Sequence, residues 1–263
     1  MGDPMQSPLF DIAGRTALVT GGFSGFGRHF ARVLARQGAK VAIAGRRIDM
    51  GRSLAEQLGA ECGRAGAVRA FELDVTDPAS VHDCIGRVAA EFGTPGIVVN
   101  NAGVVSRAPS LDVTEEDWSS VVDVNLSGVF RVAQATAREM VRAGQPGCII
   151  NIASILGLRV RTQVPAYAAT KAAVVQLTKA LALEWAQHRV RVNAIAPGYF
   201  QTEINADLLR SDTGRALVSR IPQARTGELH ELDGALLLLA SDASSYITGT
   251  VIAVDGGHLV STL

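Results

Sequence analysis

Neither sign of charge prevails in this chain. Its 263 residues hold 25 Lys plus Arg against 25 Asp plus Glu, a formal net charge of +0. That balance argues against a nucleic-acid binder, which needs a basic stripe to neutralise phosphates, and against polybasic attachment to a membrane. Long apolar runs are missing too. The strongest one near the C-terminus, Ala235 to Ala240, is far too short to span a bilayer. Met1 to Gly14 has two prolines and two aspartates and no basic segment leading into an apolar one, so no secretory signal is expected. Cysteine pairs are absent: Cys62, Cys84 and Cys148 are scattered and odd in number. Reduced thiols in a cytoplasmic protein fit that usage. The histidines, His29, His82, His188, His230 and His258, form no His-Glu-x-x-His grouping, and no metal site is expected.

What is present is core material, with 48% of residues apolar, and a rhythm. Short β-branched runs, then turn residues, then longer helical stretches recur along the chain. The strands are expected at Arg15–Thr20, Lys40–Ala44, Val68–Val75, Gly96–Asn100, Cys148–Ala153, Val190–Ala196 and Thr250–Val254. A helix is predicted over Gly27–Gln37, closed by Gly38. Asp77 is an expected N-cap, with Pro78 at the first position of a helix running to about Phe92. Thr114 with Asp117 resembles a capping box ahead of a long Trp118–Ala143 helix. Alternation of this kind, with near-continuous apolar strands, means an α/β fold with a parallel sheet covered on both faces. No repeat or linker interrupts it, so residues 1–263 are read as one domain, with 1–13 as an N-terminal extension. The segment 199–222 breaks the rhythm: it is polar and long for a connection, either a substrate lid or a tolerated surface loop.

The turn after the first strand reads Thr20-Gly21-Gly22-Phe23-Ser24-Gly25-Phe26-Gly27. Glycines are needed where the chain turns sharply, where a phosphate meets main-chain N–H groups, and where helix and strand approach closely. The helix that follows offers free N–H donors and a positive dipole end to a pyrophosphate. Its Gly-x-x-x-Gly-x-Gly spacing differs from the commoner Gly-x-Gly-x-x-Gly. It resembles instead the Thr-Gly-x-x-x-Gly-x-Gly motif of the short-chain dehydrogenases/reductases, in their compact single-domain branch. Four further segments carry the resemblance, in the family's order: Asn100-Asn101-Ala102-Gly103; Asn125; Ser154 thirteen residues ahead of Tyr167-x-x-x-Lys171; and Pro197-Gly198 followed by Thr202. Phe26 departs from it, standing where a smaller aliphatic residue is usual. The resemblance, over about Gly14 to Gly257, implies a Rossmann-type, doubly wound, seven-stranded parallel sheet and an NAD(P)-dependent oxidoreductase acting on a ketone or secondary alcohol.

The chemistry expected of these residues is a proton transfer matched to a hydride transfer. Tyr167 is the candidate acid and base, though a free phenol titrates near ~10. Lys171, one helical turn on, would favour the phenolate and lower that value. Ser154, directly after the fifth strand, would hold the substrate oxygen. By the resemblance, Asn125 would anchor a water linking Lys171 to solvent. The turn residues Gly21, Phe23, Ser24, Gly25, Phe26 and Gly27 would hold the phosphates. Asp74 and Val75 would meet the adenine edge, unless Asp74 only caps the next segment. Asn101, Ala102 and Gly103 would line the ribose, with Pro197, Gly198, Phe200 and Thr202 near the carboxamide. Where an acid would bind the ribose hydroxyls, the second strand ends in Gly45-Arg46-Arg47. Guanidinium groups without a carboxylate suit a 2′-phosphate, so NADP(H) is expected over NAD(H), unless the arginines are simply a solvated helix start.

Ile155, Leu156, Val164, Tyr199, Ile204 and Leu208 suggest a mostly apolar substrate pocket, and Arg159 and Arg161 could meet an anionic tail. The Ala166–Ala186 helix is apolar almost all round and needs a second cover, as would the Thr250–Val254 strand and the His258–Leu263 tail. A homo-oligomer, dimer or tetramer, is expected. The rival readings are a 3-oxoacyl thioester reductase, and a cofactor-binding scaffold or redox sensor without turnover. Enoyl reduction is disfavoured, because relatives with that activity space Tyr and Lys more widely.

Overall fold

The computed structural model describes residues 8–201 and 211–261. Seven strands form one parallel sheet: β1 (Thr16–Thr20), β2 (Lys40–Gly45), β3 (Val68–Glu72), β4 (Ile97–Asn100), β5 (Gly147–Ile152), β6 (Val190–Pro197) and β7 (Val251–Val254), in the spatial order β3-β2-β1-β4-β5-β6-β7. The helices are α1 (Gly25–Arg36), α2 (Ile48–Glu61), α3 (Pro78–Phe92), α4 (Glu115–Val122), α5 (Gly128–Arg142), α6 (Pro165–Trp185), α7 (Asp212–Val218) and α8 (Asp233–Ala240). Because successive strand residues point to opposite faces, neighbours in β1 feed different cores. Ala17 and Val19 pack with Phe30 and Leu34 of α1 on one side, while Leu18 joins Val88 of α3, Val132 of α5 and Leu181 of α6 on the other. This two-sided burial explains why the strands read as continuous apolar runs.

Asp77 caps α3 as expected, accepting from the Ala79 N–H at 2.9 Å, with Pro78 in the first turn. Thr114 caps α4 by accepting from the Asp117 N–H at 3.1 Å, but Asp117 accepts the Thr114 hydroxyl (2.9 Å) rather than reaching back to the backbone. Only half of the capping box forms, because Asp is one methylene shorter than Glu. The single helix expected over Trp118–Ala143 is instead α4 and α5 joined by one π-helical turn, Asp123–Ser127. β3 stops at Glu72, short of Val75, and α1 starts at Gly25 rather than Gly27. Of the 199–222 segment, 202–210 lie outside the described residues, and α7 occupies part of the remainder.

The strand order reverses between β1 and β4, where the crossovers from the two leave on opposite sides. A crevice outside the carboxyl ends of these strands is the ligand position of open α/β sheets. Among the described residues, no helix is long and apolar enough to cross a membrane.

Candidate active site

The glycine turn is built for close approach. Gly21 and Gly25 adopt φ of +61° and +51°, a left-handed region that side chains disfavour. A Cβ on Gly27 would lie 2.2 Å from the Gly21 carbonyl oxygen and 2.6 Å from Asn101 Nδ2, so only glycine lets α1 sit on the turn. Asn101 Nδ2 donates to the carbonyls of Thr20 (3.0 Å) and Gly21 (3.1 Å), and the Thr20 hydroxyl accepts from the N–H groups of Asn101 and Ala102, both at 3.1 Å. The ends of β1 and β4 are thereby stitched together. Ser24 stands at the N-cap of α1 without a side-chain cap bond, which leaves the first N–H groups of that helix for another acceptor. Donor set and tight turn fit a dinucleotide pyrophosphate.

These elements open onto a cavity of about 950 Å³. One end is lined by Phe23, Ser24, Gly25, Phe26, Arg46, Arg47, Asp74 and Val75. The middle is Gly21 with Asn101, Ala102 and Gly103, and the far end holds Ser154, Tyr167 and Lys171 beside Pro197, Gly198 and Phe200. The expected substrate residues Ile155, Leu156, Val164 and Tyr199 line it as well. Gly27 and Asn125 do not; they act behind the wall. Thr202, Ile204 and Leu208 lie outside the described residues.

Ser154 lies two residues beyond β5, where its Oγ accepts from the Leu156 N–H at 3.1 Å and meets the Tyr167 hydroxyl. Burial pushes the Tyr167 phenol above its ordinary value, and the Ser154 hydrogen bond offsets that only in part. Lys171 is turned to the backbone rather than to the phenol hydroxyl. Its Nζ donates to the Ile152 carbonyl at 2.7 Å and lies 5.6 Å from the centre of the Tyr167 ring. Burial lowers its own pKa to about 8. At neutral pH that amine is still mostly protonated, with its charge turned to the Ile152 carbonyl.

Asn125 sits in the π-helical turn, fully buried: Oδ1 accepts from the Val104 N–H and Nδ2 donates to the Val104 carbonyl, each at 2.8 Å, and Nδ2 also donates to the Thr170 hydroxyl at 3.5 Å. It anchors the loop that follows β4. Asp74 lines the cavity, and its Oδ1 accepts from the Thr76 N–H (2.9 Å) and hydroxyl (2.7 Å), which hold its pKa down; the cap of α3 is Asp77. Arg46 and Arg47 are exposed at the start of α2 and also line the cavity.

Among the wall residues that escaped the sequence reading are Val104, Val105 and Arg107, on the loop after β4. Their place just beyond the carboxyl end of a strand beside the switch point was the available signal. That loop is tied to the loop after η-turn Ile155–Gly157 by the Ala108 N–H donating to the Gln163 carbonyl at 3.1 Å. Arg161, on the second loop, donates to the Tyr199 hydroxyl at 3.4 Å. Arg159 instead holds the C-terminal segment, donating to the His258 carbonyl and, at 2.8 Å, to the Ser261 hydroxyl.

A family described as Enoyl-(Acyl carrier protein) reductase matches residues 21–258. Gluconate 5-dehydrogenase of Gluconobacter oxydans is 39% identical over 254 residues, 96% of this chain and 98% of that one. A short-chain type dehydrogenase/reductase from Mycobacterium marinum superposes with a TM-score of 0.89 at 42% identity, covering 95% of this chain and 97% of the other. The chain is a short-chain dehydrogenase/reductase. A gluconate 5-dehydrogenase from Burkholderia cenocepacia, solved in complex with NADP and tartrate, superposes with a TM-score of 0.92 at 40% identity over 97% and 99% of the two chains. Membership in this family makes the protein an oxidoreductase that uses a nicotinamide cofactor.

Proposed function

We propose that the protein moves a hydride between NADP(H), in preference to NAD(H), and a secondary alcohol or ketone that carries an anionic group. One observation carries this reading: Ser154, Tyr167 and Lys171 line the same cavity as the glycine turn. The nicotinamide, when bound, supplies the hydride acceptor or donor and a positive charge in its oxidised form. The rest falls to the chain. Ser154 orients the carbonyl oxygen, and Tyr167, kept protonated by its burial, gives that oxygen its proton. Lys171 holds the end of β5 through the Ile152 carbonyl and is the charge that stabilises a phenolate when the reaction runs toward ketone. Phe200 would stand near the carboxamide, while the roles expected of Thr202, Ile204 and Leu208 fall outside the described residues.

The anionic group is inferred from charge. Arg107 and Arg161 line the substrate end, and Asp74, at the opposite end, is the acid in the wall. Carboxylates suit guanidinium donors, and tartrate and gluconate belong to the relatives named above. Arg46 and Arg47 support NADP(H), because no carboxylate at position 45 opposes a 2′-phosphate. The unpaired Cys62, Cys84 and Cys148 fit a cytoplasmic location. The test is a panel of polyols, hydroxy acids, neutral ketones and 3-oxoacyl thioesters, assayed with both cofactors in both directions. Hydroxy or oxo acids should be the best substrates, and Tyr167→Phe should abolish turnover while NADPH still binds. Preference for 3-oxoacyl thioesters would replace the substrate reading, and cofactor binding without any turnover would leave a scaffold.

A further inference from the structure

Phe23, in the glycine turn, is a large ring, 4% exposed, that belongs both to the cavity wall and to the core. Two glycines make room for it. A Cβ on Gly45, the last residue of β2, would lie 3.0 Å from Phe23 Cε2 and 3.1 Å from Cδ2. A Cβ on Gly51, in the first turn of α2, would lie 2.4 Å from Cζ and 2.5 Å from Cε1. Neither glycine has a positive φ, so their backbone would accept any residue. Glycine inside a helix also costs stability relative to alanine. The ring is the reason both positions are bare.

We infer that Phe23, interlocked with Gly45 and Gly51, is a specificity-determining residue that selects NADP(H) by packing. The inference rests on the dinucleotide reading of the cavity given above. Position 45 is the strand end from which an acid would reach the adenosine ribose. While the ring stands there, a side chain at position 45 presses on it and the ring must give by a few tenths of an ångström, so the device that repels a 2′-phosphate is disfavoured. The same ring is the floor on which the first turn of α2 rests, which fixes the direction of Arg46 and Arg47 just ahead of that turn. Phe23 is therefore a positioning residue for the arginines and a steric lock on the carboxylate.

The test measures dissociation constants of NADPH and NADH directly, by fluorescence titration, together with Tm. The proteins are wild type, Phe23→Ala, Gly45→Asp, Gly51→Ala and the doubles Phe23→Ala/Gly45→Asp and Phe23→Ala/Gly51→Ala. Wild type should bind NADPH at least ten-fold tighter than NADH. Gly45→Asp alone should weaken both cofactors and lower Tm, whereas the double with Phe23→Ala should bind NADH at least ten-fold tighter than that single variant and prefer it to NADPH. Phe23→Ala alone should weaken NADPH several-fold more than NADH. Gly51→Ala touches no cofactor in this scheme, so its loss of Tm should shrink in the Phe23→Ala background. Should Gly45→Asp bind NADH as well as the double, or Gly51→Ala cost the same Tm with and without the ring, the interlock is wrong. A wild type that prefers NADH also overturns it, while one that binds neither cofactor overturns the dinucleotide reading instead.

Discussion

Lys171 is buried inside the cavity wall, and its burial has a sign that can be measured. Its pKa falls from 10.5 to about 8, so the folded protein releases a proton that the unfolded chain still holds between those values. Stability then rises with pH across that window, because the unfolded state binds more protons there. Below about pH 8 the full cost of burying the ammonium is present, on the order of 3 kcal/mol at ~1.4 kcal/mol per pKa unit. Lys171→Met should therefore melt higher than wild type at pH 7 while losing activity. The gap should close as the pH approaches 10.5, and thermal melts at pH 7, 8.5 and 10 follow it. A gap that stays constant over this range would mean the lysine is not buried as a charge. Asn125 makes a different residue-scale argument. Removing its amide leaves both polar groups of Val104 without their partner, which costs about 2 kcal/mol for two groups at a partly wet site. Asn125→Ala should lower Tm and raise KM for substrate, since the Val104 loop carries Val105 and Arg107. A fall in kcat with KM unchanged would point to the proton relay instead.

At the scale of elements, periodicity made the sheet and most helices legible, because buried parallel strands have no polar face to confuse the pattern. The seven strands lie where the β-branched runs are, and the Asp77-Pro78 signal placed α3 to the residue. The π-helical turn was not legible. Asp123 to Ser127 has no proline and no glycine pair, and the break depends on the Asn125 amide finding Val104, a contact 21 residues away. The site residues were readable as motifs, but their electrostatics were not: spacing puts Lys171 one turn from Tyr167, yet only packing turns its Nζ to Ile152. Gly27 stands where α1 meets the turn, one of the roles expected of the glycines there. Its Cβ would strike backbone, which cannot move aside as a side-chain end can, so Gly27→Ala should cost about 3 kcal/mol, the upper end for overpacking. Cofactor affinity should fall with it, since α1 would be pushed off the phosphate site. Unchanged NADPH titration in a folded Gly27→Ala protein would contradict this assembly of the turn.

At the scale of the whole molecule, apolar surface stands without cover among the described residues. α6 buries Val174, Thr178 and Leu181 against the sheet, but Ala172, Ala180 and Leu183 on its other side are exposed, Leu183 by 82%. Trp118 of α4 and Phe130 of α5 are exposed as well. At the far edge of the sheet, β7 is paired on one side only and is partly exposed along its length. A leucine left in water gives up roughly 1.5–3 kcal/mol of burial, and the exposed face of α6 mixes Ala172, Ala180 and Leu183 with Gln176, Lys179 and Glu184. A second copy of this chain is the simplest cover, because a two-fold interface lets one patch meet itself. The expected outcome is a particle of two or four chains of 27.6 kDa by light scattering. Leu183→Glu would place two carboxylates against that apolar contact and should shift the mass toward one chain, with activity falling only as far as the site leans on the partner. A wild-type protein that runs as a single chain at micromolar concentration would show that these faces are tolerated rather than used.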